Sequence, residues 1–392
     1  MITILGSTGT IGINTLSIIS KIKTKNSIFA LTANRNTKLL FNQIKKYKPA
    51  FAVIGSKDDA NILSELCSKN KIKTKILSGV DGLVYVSKHR KTKNLLSAIV
   101  GAAALIPTLA AIKSGKKVLL ANKESLIMSG SLMTKAAKKS GATIIPVDSE
   151  HNAILQIMTT AGLDFNNLKN SIHNEKVDCI TLTASGGPFL NFTNKQLSKV
   201  TPKQAIKHPK WKMGRKISVD SATMMNKGLE VIEAHWLFNI DYPNIEIVVH
   251  PQSIIHSMVQ FKDGSVKAQL GVPDMKIPIQ YALTYPRHFP SNWERLDFKK
   301  IGDLTFEAPN FERFPCLSLA YDALEQKGSY PAVLNFANDY SVFRFLKDEI
   351  KFTDIPKIIE SAMKNHEWDE NPNLSNLKDL DFWTKDFVKN FD

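Results

Sequence analysis

The chain has 392 residues, of which 43% are hydrophobic and 22% are charged. This length allows two or three domains with sizeable cores, and the balance excludes a disordered or fibrous chain. The net charge of +16 comes from lysines scattered along the whole chain, with no basic stripe interleaved with aromatic residues. We therefore expect neither a nucleic-acid surface nor an anionic membrane surface. The three isolated cysteines show no zinc or disulfide spacing and fit a reducing compartment.

No leader peptide or membrane segment is expected. A β-rich run follows Met1 directly, without the charged and apolar regions of a signal peptide. The uncharged stretch 95–112 is nearly long enough to span a bilayer, but Gly101 and Pro107 interrupt it. It predicts a buried strand, a turn, and a helix with Pro107 near its first turn. We expect a cytoplasmic protein.

Short β-rich runs alternate with helical stretches at the start of the chain. Strands are predicted at 2–5, 29–33, 52–55, 97–100, 117–121 and 143–147, with a helix over 11–23. Such alternation predicts a parallel sheet covered on both faces, with ligands beyond the carboxyl ends of its strands.

Later segments differ in pattern. Longer strands are predicted at 177–183, 245–249, 257–261 and 266–270, the last two joined by a hairpin turn at 262–265. The predicted fold class is α/β, with a Rossmann-like domain (1–147), an α+β catalytic domain (148–285), a proline-marked linker (286–310) and a small helical domain (311–392).

A glycine-rich loop follows the first predicted strand. Gly6, Gly9 and Gly12 are spaced GxxGxxG rather than the commoner GxGxxG. Glycines let a pyrophosphate approach the backbone, and a helix N-terminus favours the anion. The alternative is a plain tight turn.

The second predicted strand ends without an acid. NAD-selective folds usually place Asp or Glu there, whereas this chain has Asn34, Arg35 and Asn36. Arg35 can bind a 2′-phosphate through charge-assisted hydrogen bonds, which favours NADPH. The alternative is a solvated surface arginine.

Asn122, Lys123 and Glu124 follow the strand predicted at 117–121. Asn122 and Glu124 are candidates to hold the nicotinamide-side ribose, and Lys123 is a candidate to meet substrate oxygens. The alternative is a helix N-cap flanked by surface charges.

Three carboxylates form the candidate metal site. Asp148 and Glu150 end a predicted strand, and if the backbone stays extended they point the same way. Glu230, from a remote segment, can complete the set. Carboxylates without cysteine suit Mg²⁺ or Mn²⁺. The alternative for Asp148 and Glu150 is a solvated acidic turn.

Two further segments suit an anionic substrate. The small-residue turn 183–189, with Ser185, can cradle phosphate with its hydroxyl and backbone N–H groups. The charged segment 208–216 carries Trp211 and is predicted to close over a ligand and exclude water. A surface loop with an exposed tryptophan is the alternative.

Several long stretches carry a family resemblance. They are GSTGTIG, AIVGAAALIPTLAAI, LLANKESL, PVDSEHNAI, LTASGGPF, HPKWKMGRKISVDSATMMNKGLE and HPQSIIHSMVQFKDGSV, with FPCLSLA and NFAND further on. In this order the chain closely resembles the 1-deoxy-D-xylulose 5-phosphate reductoisomerases. The resemblance implies NADPH-dependent rearrangement and reduction of that sugar phosphate to 2-C-methyl-D-erythritol 4-phosphate, in the non-mevalonate route to isoprenoid precursors.

The resemblance also assigns residues. It implies metal ligands at Asp148, Glu150 and Glu230, which with Lys123 are the catalytic set. It implies substrate contacts at Lys123, Ser149, Glu150, Ser185, His208, Ser221, Asn226, Lys227 and Glu230. It implies NADPH contacts at Thr8, Gly9, Thr10, Ile11, Asn34, Arg35, Asn36, Asn122, Glu124 and Gly214. It implies a homodimer that uses Mg²⁺ or Mn²⁺, with Co²⁺ as a third candidate, and no nucleic-acid or membrane partner.

Some positions depart from the family pattern, and two other functions remain as alternatives. Asn34 stands where glycine is common, and Asp339 stands where the family usually has glutamate. An NADP-dependent semialdehyde or hydroxy-acid dehydrogenase would explain the cofactor loop but not the three carboxylates. A basic nucleic-acid-binding protein would show affinity that falls steeply with salt.

Overall fold

A computed structural model of the chain describes residues 1–22, 27–163, 176–209, 211 and 213–391. The chain forms two compact units. The first comprises Met1–Ser125, Met133–Asn152 and Asp274–Trp293, and the second comprises Leu126–Leu132, Ala153–Pro273 and Glu294–Asp392.

The strands of the described residues are β1 (Ile2–Leu5), β2 (Ile28–Thr32), β3 (Phe51–Ile54), β4 (Lys75–Ser78), β5 (Asn94–Ser97), β6 (Lys117–Leu120), β7 (Thr143–Pro146), β8 (Val177–Ala184), β9 (Ile245–Val249), β10 (Ile255–Phe261) and β11 (Val266–Leu270). The α-helices of the same residues are α1 (Thr10–Lys21), α2 (Thr37–Tyr47), α3 (Lys57–Lys69), α4 (Gly79–Lys88), α5 (Leu105–Lys113), α6 (Lys123–Ser140), α7 (Ser149–Thr160), α8 (Asn194–Leu197), α9 (Pro202–Ala205), α10 (Arg215–Ala222), α11 (Met225–Phe238), α12 (Lys276–Thr284), α13 (Phe298–Ile301), α14 (Cys316–Gln326), α15 (Tyr330–Phe345), α16 (Asp354–Asn365) and α17 (Leu374–Lys389). Single 3₁₀ turns lie at Ala102–Ala104 and Tyr242–Asn244.

The first unit is built on a parallel sheet. Among the described residues it has seven strands in the order β4-β3-β2-β1-β5-β6-β7. All four residues of β1 are buried, as a strand covered on both faces requires. The strand order reverses between β1 and β5, which is where doubly wound folds bind ligands. The predicted Rossmann-like domain is confirmed.

One strand prediction in this sheet was wrong, and one strand was not predicted. The strand expected at 97–100 lies at Asn94–Ser97, where Leu95, Leu96 and Ser97 are buried. Ala98 instead begins a loop that packs on the glycine-rich turn. Strand β4, at the edge of the sheet, has no fully buried residue and was not predicted.

The structure confirms most of the helical residues predicted around this sheet. The segment 95–112 forms β5, a 3₁₀ turn and α5, with Pro107 in the first turn of α5. The helix expected at 11–23 ends at Lys21, and position 23 lies outside the described residues.

The second unit contains a mixed sheet in the order β11-β10-β8-β9 within the described residues. Strand β8 pairs parallel with β9 and antiparallel with β10, and β10 pairs antiparallel with β11. Asp263 accepts a hydrogen bond from the Ser265 backbone at 2.9 Å in the connecting turn. The predicted hairpin is confirmed.

Helices complete the second unit. Helix α11 packs against α14 so closely that a Cβ added at Gly228 would lie 2.7 Å from the Cβ of Ala320. The predicted helical C-terminal region is confirmed by α14–α17. None of the helices within the described ranges has the length and apolar character needed to cross a membrane.

Candidate active site

The glycine-rich loop follows β1 in the first unit. Gly6 has φ +80, and a Cβ there would lie 2.5 Å from the carbonyl oxygen of Ala98. A Cβ at Gly12 would lie 2.4 Å from the carbonyl oxygen of Gly6. These two positions therefore require glycine for close backbone approach.

Buried side chains fix the shape of this loop. The Ser7 hydroxyl donates to Gln43 Oε1 at 2.7 Å, and Gln43 Nε2 donates back to the Ser7 carbonyl at 2.8 Å. The Gly6 N–H donates to Thr32 Oγ1 at 2.9 Å. The loop is thus held before any ligand arrives.

Helix α1 begins directly after the loop with no side-chain cap at Gly9. Thr8, Thr10 and Ile11 are partly or fully accessible around it. An uncapped helix N-terminus presents backbone N–H groups and a positive dipole end, which fits a pyrophosphate.

The end of β2 lies beside this loop in the sheet, since β1 and β2 are neighbours. Asn34, Arg35 and Asn36 are exposed there. The Asn36 side chain caps α2 by accepting the Leu39 N–H at 3.1 Å, and the Asn34 carbonyl accepts the Gly55 N–H at 2.9 Å. The backbone is fixed, whereas the Arg35 guanidinium remains accessible to a 2′-phosphate.

Asn122 caps α6 after β6. Its Oδ1 accepts the Ser125 N–H at 2.9 Å, and its Nδ2 donates to Glu124 Oε2 at 2.9 Å. Asn122 is almost fully buried. The N-cap alternative therefore describes this residue correctly, and any ribose contact would come in addition to the cap.

Lys123 forms an ion pair with Asp148 at the end of β7. Burial alone would raise the pKa of Asp148, but the Lys123 ammonium, the nearby His151 and the hydrogen bonds outweigh it. They hold the pKa of Asp148 below its ordinary value of 3.8. The carboxylate is therefore ionised, as a metal ligand must be.

The predicted geometry of Glu150 was wrong. Strand β7 ends at Pro146 and α7 begins at Ser149, so the backbone does not stay extended through Glu150. Glu150 lies in the first turn of α7 and its Oε2 accepts a hydrogen bond from Ser149 Oγ at 2.5 Å. A carboxylate is favourable at that helix end.

Ser185 and His208 come together in the second unit. Gly186 and Gly187 follow β8 with φ values of +79 and +68 and turn the chain sharply. His208 Nε2 and Ser185 Oγ are 2.9 Å apart, and the Gly187 N–H donates to Ser185 Oγ at 3.3 Å.

The hydrogen bonds of His208 define its tautomer. The Trp211 backbone N–H donates to Nδ1 at 2.9 Å, so Nδ1 carries no proton and Nε2–H donates to Ser185. Burial lowers the pKa of His208, which keeps the ring neutral. Ser185 Oγ therefore accepts hydrogen bonds from both His208 and Gly187, and its own O–H can donate to a further acceptor.

Ser221, at the end of α10, belongs to the same cluster. A Cβ at Gly187 would lie 2.5 Å from the Ser221 carbonyl oxygen, so the turn after β8 packs directly on this helix end. Gly214 is the N-cap of α10 and is exposed. Trp211 is half-buried, with its ring 6.3 Å from that of His256, and Lys210 and Lys212 lie outside the described residues.

Glu230 is buried on α11 and is held by two neighbours on its own helix. Lys227 Nζ donates to Glu230 Oε2 at 2.5 Å and Asn226 Nδ2 donates to Oε1 at 2.5 Å. The Lys227 and Glu230 side chains are only 4% and 1% exposed. Buried charges of this kind require partners, and Lys227 and Asn226 supply them to Glu230.

The donor set fits a hard divalent cation. Asp148 and Glu150 in the first unit, and Glu230 in the second, offer carboxylate oxygens with lysine and hydroxyl groups beside them. Mg²⁺ and Mn²⁺ prefer such oxygen ligands.

The sequence interpretation missed one polar cluster in the second unit. Lys216 and Asp220 of α10 contact Asn338 and Asp339 of α15. A signal was present, since NFAND places three polar residues in a helix that is otherwise largely apolar.

Comparison with known proteins covers nearly the whole chain. A 1-deoxy-D-xylulose 5-phosphate reductoisomerase family model matches residues 2–130, and two models of reductoisomerase C-terminal domains match 144–238 and 270–387. A reductoisomerase of Chloroherpeton thalassium is 49% identical over 99% of this chain and 97% of its own. The chain belongs to the 1-deoxy-D-xylulose 5-phosphate reductoisomerase family.

Other members of the reductoisomerase family agree in sequence and structure. The enzyme of Endomicrobium trichonymphae is 48% identical over 99% of this chain and 98% of its own. A DOX-P reductoisomerase crystallised with NADPH, fosmidomycin and magnesium has TM-score 0.94 and 41% identity, covering 99% of this chain and 97% of that one. The Zymomonas mobilis reductoisomerase with NADPH has TM-score 0.90 and 42% identity, with the same coverages. These matches favour the reductoisomerase interpretation over a simple dehydrogenase.

Proposed function

We propose that this chain converts 1-deoxy-D-xylulose 5-phosphate into 2-C-methyl-D-erythritol 4-phosphate with NADPH and a divalent cation. The observation that carries the proposal is family membership over the full chain together with the carboxylates, hydroxyls and lysines described above. We assign cofactor binding to 1–147, catalysis to 148–285, and a supporting role to the helical region 311–392.

In the first unit, the chain binds and orients NADPH. The glycine-rich loop and the N-terminus of α1 take the pyrophosphate. Arg35, exposed at the end of β2, takes the 2′-phosphate and so selects NADPH over NADH. Asn122 and Glu124, joined by a hydrogen bond, lie at the carboxyl end of β6 where the nicotinamide ribose is expected. NADPH supplies the hydride, and the protein positions it.

Asp148, Glu150 and Glu230 would hold the metal ion. A divalent ion there supplies Lewis-acid stabilisation of negative charge on substrate oxygens. Lys123 keeps Asp148 ionised and adds positive charge beside those oxygens. Lys227 donates a hydrogen bond to Glu230 in the second unit. Ser149, which donates to Glu150, fixes the orientation of that carboxylate.

The second unit anchors the substrate phosphate. Ser185 joins Ser221, Asn226 and Lys227 as donors to that phosphate. Phosphate binding energy, remote from the reacting carbons, positions a small and flexible sugar for rearrangement. The segment around Trp211 closes over the site and excludes water.

We also propose a homodimer in the cytoplasm that accepts Mn²⁺ as well as Mg²⁺. Family resemblance supports these three points. Light scattering of the purified chain measures the mass, and a monomer at micromolar concentration would contradict the dimer.

The function is tested by following NADPH oxidation with 1-deoxy-D-xylulose 5-phosphate. Turnover should require Mg²⁺ or Mn²⁺, disappear in chelator and return when metal is restored. Glu230→Gln is the matched control, because it preserves shape and removes only the charge. Absence of turnover by the unaltered chain, or turnover that persists in chelator, would contradict the proposal.

A further inference from the structure

A cluster of charged side chains joins α10 to α15 within the second unit. Lys216 Nζ lies 2.8 Å from Asp220 Oδ2 and 2.7 Å from Asp339 Oδ1. Asn338 Nδ2 donates to Asp220 Oδ1 at 2.9 Å. These four residues are called the α10–α15 cluster below.

The cluster is largely withdrawn from water. The side chains of Lys216, Asp220 and Asp339 are 11%, 1% and 14% exposed, and Asn338 is fully buried. Exposed ion pairs contribute little and tolerate rearrangement. Here each charge has lost most of its hydration, so a shift of α10 against α15 would break the Lys216–Asp339 ion pair and the Asn338–Asp220 hydrogen bond at a cost in stability. The contact therefore fixes the position of one helix against the other.

Interactions within α10 do not explain why Lys216 and Asp220 are charged. Lys216 lies in the first turn of α10, near the positive end of the helix dipole, and Asp220 lies near the negative end. Lysine four residues before an acid is also the weaker order for a pair along one helix. Both charges are unfavourable for α10 alone, so their benefit comes from the contact with α15.

Helix α10 connects two parts of the substrate site. It begins at Gly214, directly after the segment that carries Trp211, and ends with Ser221 against the turn of Ser185. Asp220 immediately precedes Ser221. A displacement of α10 therefore moves Ser221 relative to Ser185.

We propose that the α10–α15 cluster is a positioning device for the substrate phosphate, by which the C-terminal helical region sets the geometry of the Ser185–Ser221 donors. The proposal deepens the proposed function and rests on it for the identity of the substrate. It also gives a role to Asp339: its carboxylate reaches Lys216 directly although the family usually has the longer glutamate.

The test compares Asp339→Asn with Asp339→Glu. Asp339→Asn keeps the shape and removes the charge, so we expect the KM for the sugar phosphate and the Ki of inorganic phosphate to rise about 10-fold. The KM for NADPH should change less than the KM for the sugar phosphate, because Gly214 is the only proposed NADPH contact that adjoins α10. Asp339→Glu restores the charge and should bring KM and Ki back to within about threefold of the original chain.

The matched control is Glu360→Gln, which removes an acid from an exposed pair with Lys364 on α16 of the same unit. It should leave every constant unchanged. A merely structural role for the cluster would lower the active fraction and kcat while KM and Ki stay constant, and that result would overturn the proposal.

If Asp339→Asn does not fold, a second variant serves as the test. Asn338→Ala removes one hydrogen bond and leaves the ion pairs intact, so we expect the KM for the sugar phosphate to rise about threefold. An unchanged KM would overturn the proposal.

Failure of the proposed function is distinguished by a measurement without turnover. Inorganic phosphate should raise the Tm of the original chain, and raise it less in Asp339→Asn. A chain that shows this difference but no turnover would contradict the reductoisomerase function and leave the positioning role in place. An equal phosphate effect in both chains, or none in the original, would overturn the positioning role.

Discussion

In each unit a lysine pairs with one of the carboxylates proposed as metal ligands, but the two pairs lie in different surroundings. The Lys123–Asp148 pair of the first unit joins residues that follow two neighbouring strands, with side chains 9% and 18% exposed. The Lys227–Glu230 pair of the second unit lies within one helix and is 4% and 1% exposed. The first pair can exchange its partner for water, whereas the second cannot do so without a cost in stability.

This difference separates the tasks of the two units. The first unit presents its groups at strand ends and loops, where the sheet fixes the backbone and ligands reach the side chains. The second unit buries Lys227 and Glu230 on one helix, where they pair with each other. A perturbation of the first unit should therefore change chemistry and cofactor choice, whereas a perturbation of the second should also change stability.

The largest expected effect is on the buried pair. Lys227→Met removes the lysine that pairs with the buried Glu230 carboxylate, and should lower the free energy of unfolding by about 3 kcal/mol. Lys123→Met should lower it by about 1 kcal/mol, since Asp148 is partly hydrated. Urea denaturation of both variants measures the difference. Equal losses of unfolding free energy in the two variants would contradict the difference between the two pairs. Recovery of the unfolding free energy in the double variant Lys227→Met/Glu230→Gln would support it, because that variant has no unpaired charge.

The next effect concerns the cofactor. Arg35→Ala removes the charge proposed to bind the 2′-phosphate, so the KM for NADPH should rise about 10- to 100-fold, equivalent to about 1.4–2.8 kcal/mol. The kcat, the substrate KM and the weak activity with NADH should change little. Steady-state kinetics with both cofactors provide the measurement. Equal losses with NADPH and NADH would mean that Arg35 does not read the 2′-phosphate.

The smallest effect is a pH dependence in the second unit. Burial lowers the pKa of His208 from its ordinary 6.5, so the ring is neutral at pH 7 and gains a proton only as the pH falls below that value. A protonated Nδ1 can no longer accept the hydrogen bond from the Trp211 backbone N–H, and the two N–H groups then repel each other. The substrate KM should then rise several-fold toward acid pH.

The matched control for this effect is His208→Gln. Its KM for the sugar phosphate should be higher than that of the original chain, but it should not rise further toward acid pH through protonation of this side chain. The ratio of the two KM values at each pH cancels the titration of the substrate phosphate itself. A ratio that stays constant from pH 5 to 8 would show that the protonation of His208 has no influence on substrate binding.

Most strands of the first sheet could be predicted from sequence, because each one is a short apolar run bounded by turn residues. The errors have physical causes. Strand β4 lies at an edge and has no buried residue, so its apolar signal is weak. The strand expected at 97–100 was displaced because Ala98 looked like strand but packs against Gly6 in a loop.

Less of the candidate site could be predicted from the sequence. Residue types predicted a hard-metal and phosphate site, but not the partners of its charges. That Glu150 lies on a helix depends on where β7 ends, and the pairing of Lys216 with Asp339 depends on how α10 meets α15. Such contacts between distant segments leave no periodic signal in the sequence.

The metal ligands proposed above are Asp148, Glu150 and Glu230. Titration of the purified chain with Mn²⁺, followed by electron paramagnetic resonance, tests this proposal without turnover. We expect one bound Mn²⁺ per chain, with the affinity lowered at least about 10-fold by Asp148→Asn and by Glu230→Gln. Mn²⁺ affinity that is unchanged in Glu230→Gln would contradict it.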